Sequence, residues 1–231
     1  MPTITDNFDD GVINADLWEQ AANGSGSVSE SGGKLKASCP SSLDMAGVVT
    51  KNPYDLTDGS VEVEWSLDNV REVYLGISTE KALSFLNMEY LSNCYFIRMT
   101  QSDGTYRVWF KKVVNGTVFN IHDALMSLTS GKFKLQFEGN TLKAYVNDAL
   151  FSSDEYELQS KEVYVYVIAT AYDVNTGEAS FDNFSMTYYV PEKPPTPAET
   201  ISSMINSMIP MLALAVIVPL VGKAVKEIKR R

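Results

Sequence analysis

The chain has 231 residues, of which 45% are hydrophobic and 11% aromatic, enough apolar material for a sizeable core and too much for a disordered chain. Its net charge is −10, and positive charge gathers at one end: residues 201–231 hold five basic residues against Glu227 alone, a net of +4, which leaves −14 on residues 1–200. So acidic a body excludes a domain that wraps nucleic acid, because that affinity comes from Lys and Arg neutralising phosphates.

The N-terminal stretch has neither the basic segment nor the apolar run of a secretion signal. Two cysteines and one histidine fall short of the three or four ligands that a zinc site needs. Cys39 stands before a proline at a loop or strand end, and Cys94 stands near the start of a strand. The two either form a disulfide or pack as separate thiols. The glycine-rich stretches at 23–26 and 31–33 lack the Lys-Ser/Thr of a phosphate loop and are turns.

From residue 27 to about 189 the hydrophobic period is two, in short segments divided by Gly, Asn, Asp or Ser. At 60–67 this puts Val61, Val63, Trp65 and Leu67 inward and Glu62, Glu64 and Ser66 outward. Further strands are expected at 73–78, 95–100, 106–114, 117–121, 132–138, 142–146 and 163–169. Asn115-Gly116 and Gly139-Asn140 are hairpin turns. Residues 123–128 have room for one short turn of helix, and no helix longer than three turns is expected before residue 195. Val61, Val63, Trp65, Phe133, Leu135 and Phe137 should lie in the core.

At 191–200 the chain becomes proline-rich, a stiff extended linker. Residues 201–231 then read as one transmembrane helix, with no charge between 204 and 221. Its lipid-facing apolar set is Met204, Ile205, Ile209, Met211, Leu212, Leu214, Val216, Ile217, Val218, Leu220 and Val221. A basic cap of Lys223, Lys226, Lys229, Arg230 and Arg231 follows, suited to anionic headgroups. Packing into another protein's apolar groove is the alternative for the same helix.

The segment 131–148, with its strand, Gly-Asn turn, second strand and Asn-Asp turn, resembles the central hairpin of concanavalin A-like lectin/glucanase sandwiches of the laminin-G type. Residues 6–10 with Leu17-Trp18, and 179–186 at the other end, look like the first and last strands of such domains, which pair and close the sandwich. The resemblance covers about residues 5–190. It implies an all-β, two-sheet antiparallel jelly-roll sandwich over 1–190, with two curved sheets of six or seven strands that often recognise carbohydrate or protein. Some members bind calcium in rim loops, where Asp6, Asp9, Asp10 and Asp182 match in position; exposed turn aspartates account for them equally well. No other cofactor is expected.

Glycosidases of this family set carboxylates at alternate positions along one strand. Glu62 and Glu64 come nearest, but the family's Glu-x-Asp-x-x-Glu order is absent: Glu64 stands where Asp is expected and Leu67 where the second Glu would fall. They read as a solvated strand face, and no catalytic residue is assigned. His122 has no nucleophile motif for a partner. Tyr90, Tyr95, Tyr106, Trp109 and Tyr172 are candidates for stacking on sugar rings, and each also suits a core.

The basic cap belongs on the cytoplasmic side, yet no signal exports the β domain ahead of the helix. A coat or spike protein of a membrane-containing virus removes that conflict, and the layout resembles such proteins in architecture. The expectation ranked first is therefore a non-enzymatic, membrane-anchored structural protein of a virion or cell envelope. Its partners would be a lipid bilayer and copies of itself or other coat proteins. A lectin-like surface adhesin taking a glycan ranks second, and a glycan-active hydrolase third.

Overall fold

The computed structural model describes residues 1–85, 87–102, 104–171 and 176–191. In chain order the strands are β1 Thr3–Asp6, β2 Trp18–Asn23, β3 Ser27–Glu30, β4 Leu35–Cys39, β5 Met45–Thr50, β6 Tyr54–Asp55, β7 Ser60–Asp68 and β8 Glu72–Ser78. They continue as β9 Cys94–Ser102, β10 Thr105–Val114, β11 Thr117–Leu125, β12 Ser130–Glu138, β13 Thr141–Val146, β14 Ala149–Glu155, β15 Glu162–Thr170 and β16 Gly177–Thr187. One short 3-10 turn, Met88–Tyr90, interrupts them.

The strands form two antiparallel sheets of eight. The first runs β14-β13-β12-β7-β16-β4-β3 with β1 on β16, and the second runs β11-β10-β9-β8-β15-β5-β2 with β6 on β15. Each sheet has one strand or two more than the six or seven expected. Hairpins build the long meanders. Asn115 and Gly116 both take positive φ (51° and 75°), as a type I′ turn requires, and Gly139 does so at 58°, as a type II′ turn requires at its first position. The short turn of helix for which 123–128 had room is not formed. Residues 123–125 instead extend β11, whose Ala124 lies opposite Val108 in β10, because pairing satisfies backbone groups that one helical turn would leave open.

The inward residues of both sheets make one core. Val61, Val63, Trp65, Phe133, Leu135 and Phe137 are all buried in it, as the alternation in β7 and β12 demands. Phe133 lies directly opposite Val63 across the strand pair, and its ring packs on Trp65 at 4.9 Å between centroids. Leu67, also expected inward, is only partly buried at the margin. The chain ends meet: β1 pairs with β16 from Thr3–Thr187 to Asp6–Phe184. Trp18, however, heads a strand of the other sheet and reaches across to Phe184 edge-on at 4.7 Å.

A second apolar cluster lies on the outer face of the second sheet. There Phe85, Met88 and Leu91, from the segment joining β8 to β9, cover Tyr74, Phe96, Tyr166 and Ile168. Gly76 makes this possible, since a Cβ there would stand 2.5 Å from the Met88 methyl. The hydroxyl of Tyr166 accepts from Ala82 N at 2.8 Å and donates to Glu80 O at 2.7 Å, fixing the start of the segment.

Cys39 and Cys94 are buried and unbonded. The first belongs to the inter-sheet core and the second to the outer cluster, so a sheet separates them. Burial pushes the Cys39 thiol up to about 12, with the Asp44 charge adding to it, and burial raises Cys94 further. The linker from residue 192 onward, the membrane helix and the basic cap lie outside the described residues. Among those described, no helix is long and apolar enough to cross a membrane.

Candidate functional site

The covering segment leaves part of the outer face of the second sheet open, and strand register decides what that part displays. Thr170 of β15, Glu72 of β8, Thr100 of β9 and Arg107 of β10 are successive cross-strand neighbours. One row further on stand Ile168, Tyr74, Arg98 and Trp109, and beyond them Tyr166, Gly76, Phe96 and Lys111. Alternation turns all of these away from the inter-sheet core. The covering segment contributes one more group, Glu89 on the 3-10 turn, where Asn87 Oδ1 accepts from the Glu89 backbone N–H at 2.8 Å.

Glu72 is the most constrained carboxylate. Its Oε2 accepts from the Tyr74 hydroxyl and from Thr170 Oγ1 at 3.1 Å. Its Oε1 lies 3.6 Å from Arg98 Nη1, with both side chains about nine-tenths buried. The other guanidinium nitrogen of Arg98, Nη2, meets Glu89 Oε1 at 3.3 Å, and Lys111 Nζ meets that same oxygen at 2.5 Å. One guanidinium thus stands between two carboxylates. Burial works against the charge of Arg98, but Tyr74, Glu72 and Glu89 more than offset it and raise its pKa. Tyr74 is held well above the ordinary tyrosine range by burial, with the Glu72 charge adding to it.

Trp109 forms the floor beside this pair, and its Nε1 donates to Thr100 Oγ1 at 3.1 Å. Two hollows share Arg71, Glu72 and Arg98: one of about 440 Å³ also bounded by Glu89 and Tyr90, and one of about 230 Å³ that reaches Arg107 and Trp109. Arg107 forms an ion pair with Asp123 of β11. The pKa of Asp123 is lowered by the amide of Asn120 and then by Arg107.

Glu62 and Glu64 lie elsewhere, on the outer face of the first sheet. Glu62 stands 3.9 Å from Lys134 Nζ, and Glu64 accepts from Asn183 Nδ2 at 3.0 Å beside a separate hollow of about 400 Å³. His122 sits on the edge strand β11 against the ring of Phe151. Of the aromatic candidates, only Trp109 and the exposed Tyr90 border the site. Tyr95 is in the core, Tyr106 packs on it, and Tyr172 lies outside the described residues. Among the described residues no three Asp, Glu, His or Cys side chains gather in a way that suits a metal ion. Asp6 accepts from Trp18 Nε1 at 2.8 Å, Asp10 from Val12 N at 3.0 Å and Asp9 from the Asn7 amide at 2.8 Å.

Sequence reasoning missed Glu72 because it began the strand one residue late, at Val73; moving the start back by one puts Glu72 in phase with Tyr74. No period pointed to Glu89, which lies in the covering segment.

The two-sheet antiparallel jelly-roll sandwich is similar in fold to several solved glucanases. The β-glucanase of Bacillus licheniformis superposes with a TM-score of 0.57 at 16% identity, over 81% of this chain and 98% of its own. The laminarinase catalytic domain of Thermotoga maritima gives 0.60 at 11%, over 81% and 97%. The carbohydrate-binding module CBM66 of Bacillus subtilis gives 0.52 at 16%, over 75% and 98%. No family model and no curated protein matches the sequence. These likenesses overturn the order of functions drawn from the sequence. A non-enzymatic virion or envelope protein no longer stands first, and the expectation that the chain is not an enzyme is withdrawn. The apolar tail had driven that ranking, and the solved structures that the body resembles in fold are glucanases and a carbohydrate-binding module.

Proposed function

We propose that this protein is a glycan-active hydrolase that cleaves a polysaccharide laid across the outer face of the second sheet. The observation that carries this reading is the convergence of two carboxylates, Glu72 and Glu89, on one open face beside Trp109. Glycoside hydrolysis uses two carboxyl groups, one to protonate the leaving oxygen and one to attack the anomeric carbon or activate water. Glu72, fixed by Tyr74, Thr170 and Arg98, suits the stationary role of nucleophile or base. Glu89 is more exposed, 27% against 9% for Glu72, and supplies the second carboxyl group at the rim. Trp109 would hold a sugar ring by stacking. The likeness in fold to β-glucanases and to a carbohydrate-binding module supports a sugar polymer as substrate.

The outward positions of β8 read Glu72, Tyr74 and Gly76, so the strand supplies one carboxylate and the covering segment supplies the other. The test is release of reducing ends from a panel of neutral and acidic polysaccharides. Glu72→Gln should lower the rate by at least ~10²-fold while the β-sheet circular dichroism is kept. A variant as active as the parent removes Glu72 from the chemistry, and a parent that cleaves nothing in the panel sinks the proposal.

A further inference from the structure

Cations are the minority charge in this protein, 19 Lys and Arg against 29 Asp and Glu, yet three of them converge on a single indole. Lys111 Nζ lies 4.7 Å from the Trp109 ring centroid, the Arg107 guanidinium 5.3 Å and the Arg98 guanidinium 5.6 Å. Their donors outnumber the acceptors around them. Glu89 Oε1 is shared by Lys111 and Arg98, and Arg98 also meets Glu72 Oε1 and the Tyr74 hydroxyl, but an ammonium carries three donors and a guanidinium five. Buried Arg98 Nε has no hydrogen-bond partner among the described residues. The Arg107 side chain pairs with Asp123 but stays 37% exposed at the rim.

A neutral glucan meets an aromatic platform through its C–H face and its hydroxyls, and has no use for three cations around that ring. A carboxylate or sulfate ester has: it accepts several charge-assisted hydrogen bonds at once, and a guanidinium fork matches its oxygens. A side chain already largely buried and held in place, as Lys111 is, loses little entropy on meeting such a group.

We propose that the glycan taken by this face carries an anionic group, a carboxylate or a sulfate ester, seated against Arg107 and Lys111 at the Trp109 end of the site. This rests on the glycan-directed reading above and names its substrate class. An acidic protein repels a polyanion over most of its surface, so attraction has to be local to this end.

The test is affinity electrophoresis of the full chain through gels holding laminarin, mixed-linkage β-glucan, polygalacturonate or carrageenan. The last two separate a carboxylate ligand from a sulfated one. The expected result is retardation by one of the anionic polymers at least 10-fold stronger than by either neutral glucan, weakening as salt is added. The double variant Arg107→Gln/Lys111→Gln should lose that retardation at least 10-fold while keeping the parent's circular dichroism. Anionic binding that survives the double variant comes from elsewhere, such as the basic residues at 223–231, and overturns the inference. Retardation by neutral glucans alone also overturns it and leaves the glycan reading standing. No retardation by any of the four polymers overturns both.

Discussion

The Glu72–Arg98 pair decides whether the activity test is clean, because a variant that unfolds would lose activity for the wrong reason. Both side chains are about nine-tenths buried, and removing one partner of a buried ion pair typically costs about 3–5 kcal/mol. Glu72→Gln should cost less, about 2–3 kcal/mol, since Gln keeps an acceptor for Tyr74 and Thr170 and Arg98 keeps Glu89. Arg98→Met strands Glu72 among two hydroxyls and leaves Glu89 to Lys111 alone, so it should reach the full range of about 3–5 kcal/mol. In a chain of this size each kcal/mol moves Tm by about 2–4 °C, so Glu72→Gln should melt about 4–12 °C below the parent and remain folded at assay temperature. Urea unfolding of the two single variants and the double variant, followed by tryptophan fluorescence, gives the coupling energy directly. The expected coupling exceeds about 1.5 kcal/mol, because the double variant removes both charges and leaves neither stranded. Additivity within about 0.5 kcal/mol would refute the reasoning, since it would mean that the two groups do not sense each other.

Trp65→Ala should cost about 3–5 kcal/mol in the same assay. Trp65→Phe should cost much less, because it keeps a ring on Phe133 and removes a buried indole N–H that has no partner among the described residues; equal losses for the two would refute that packing account. Burial raises the pKa of Tyr74, Tyr95, Tyr156 and Tyr166 above the ordinary 10.0. A raised folded-state value means stability that is intact below about pH 10 and falls as pH rises towards the folded values. These four tyrosines should therefore ionise in one cooperative step with loss of sheet signal, and a smooth near-ultraviolet titration near the ordinary value with the sheet intact would contradict it. Ending the chain after Pro197 should leave residues 1–190 folded and soluble, because their core is built from their own two sheets; unfolding on truncation would show that the tail belongs to that core.

Much of the sandwich was legible in the sequence because burial on one face of a strand writes itself as alternation. Val61, Val63 and Trp65 could be assigned inward from β7 alone, and the hairpins at Asn115-Gly116 and Gly139-Asn140 from the φ values those residues tolerate. β14 and the edge strand β11 were harder, since edges bury little and Leu150, Val118 and Phe119 lie exposed. Of the site, only Trp109 and Tyr90 stood among the sequence candidates, and its charged groups were not legible, for a different reason. Glu72, Arg98 and Trp109 come from three strands, and nothing local distinguishes them from other polar or aromatic residues on a strand. Pairing in register puts Arg98 opposite both Tyr74 and Trp109, and the covering segment brings Glu89 over them. Local sequence determined which residues turn outward, because side-chain alternation is a property of each strand. Only the tertiary structure decided which outward residues share a face, because register and sheet order depend on packing between segments distant in the chain.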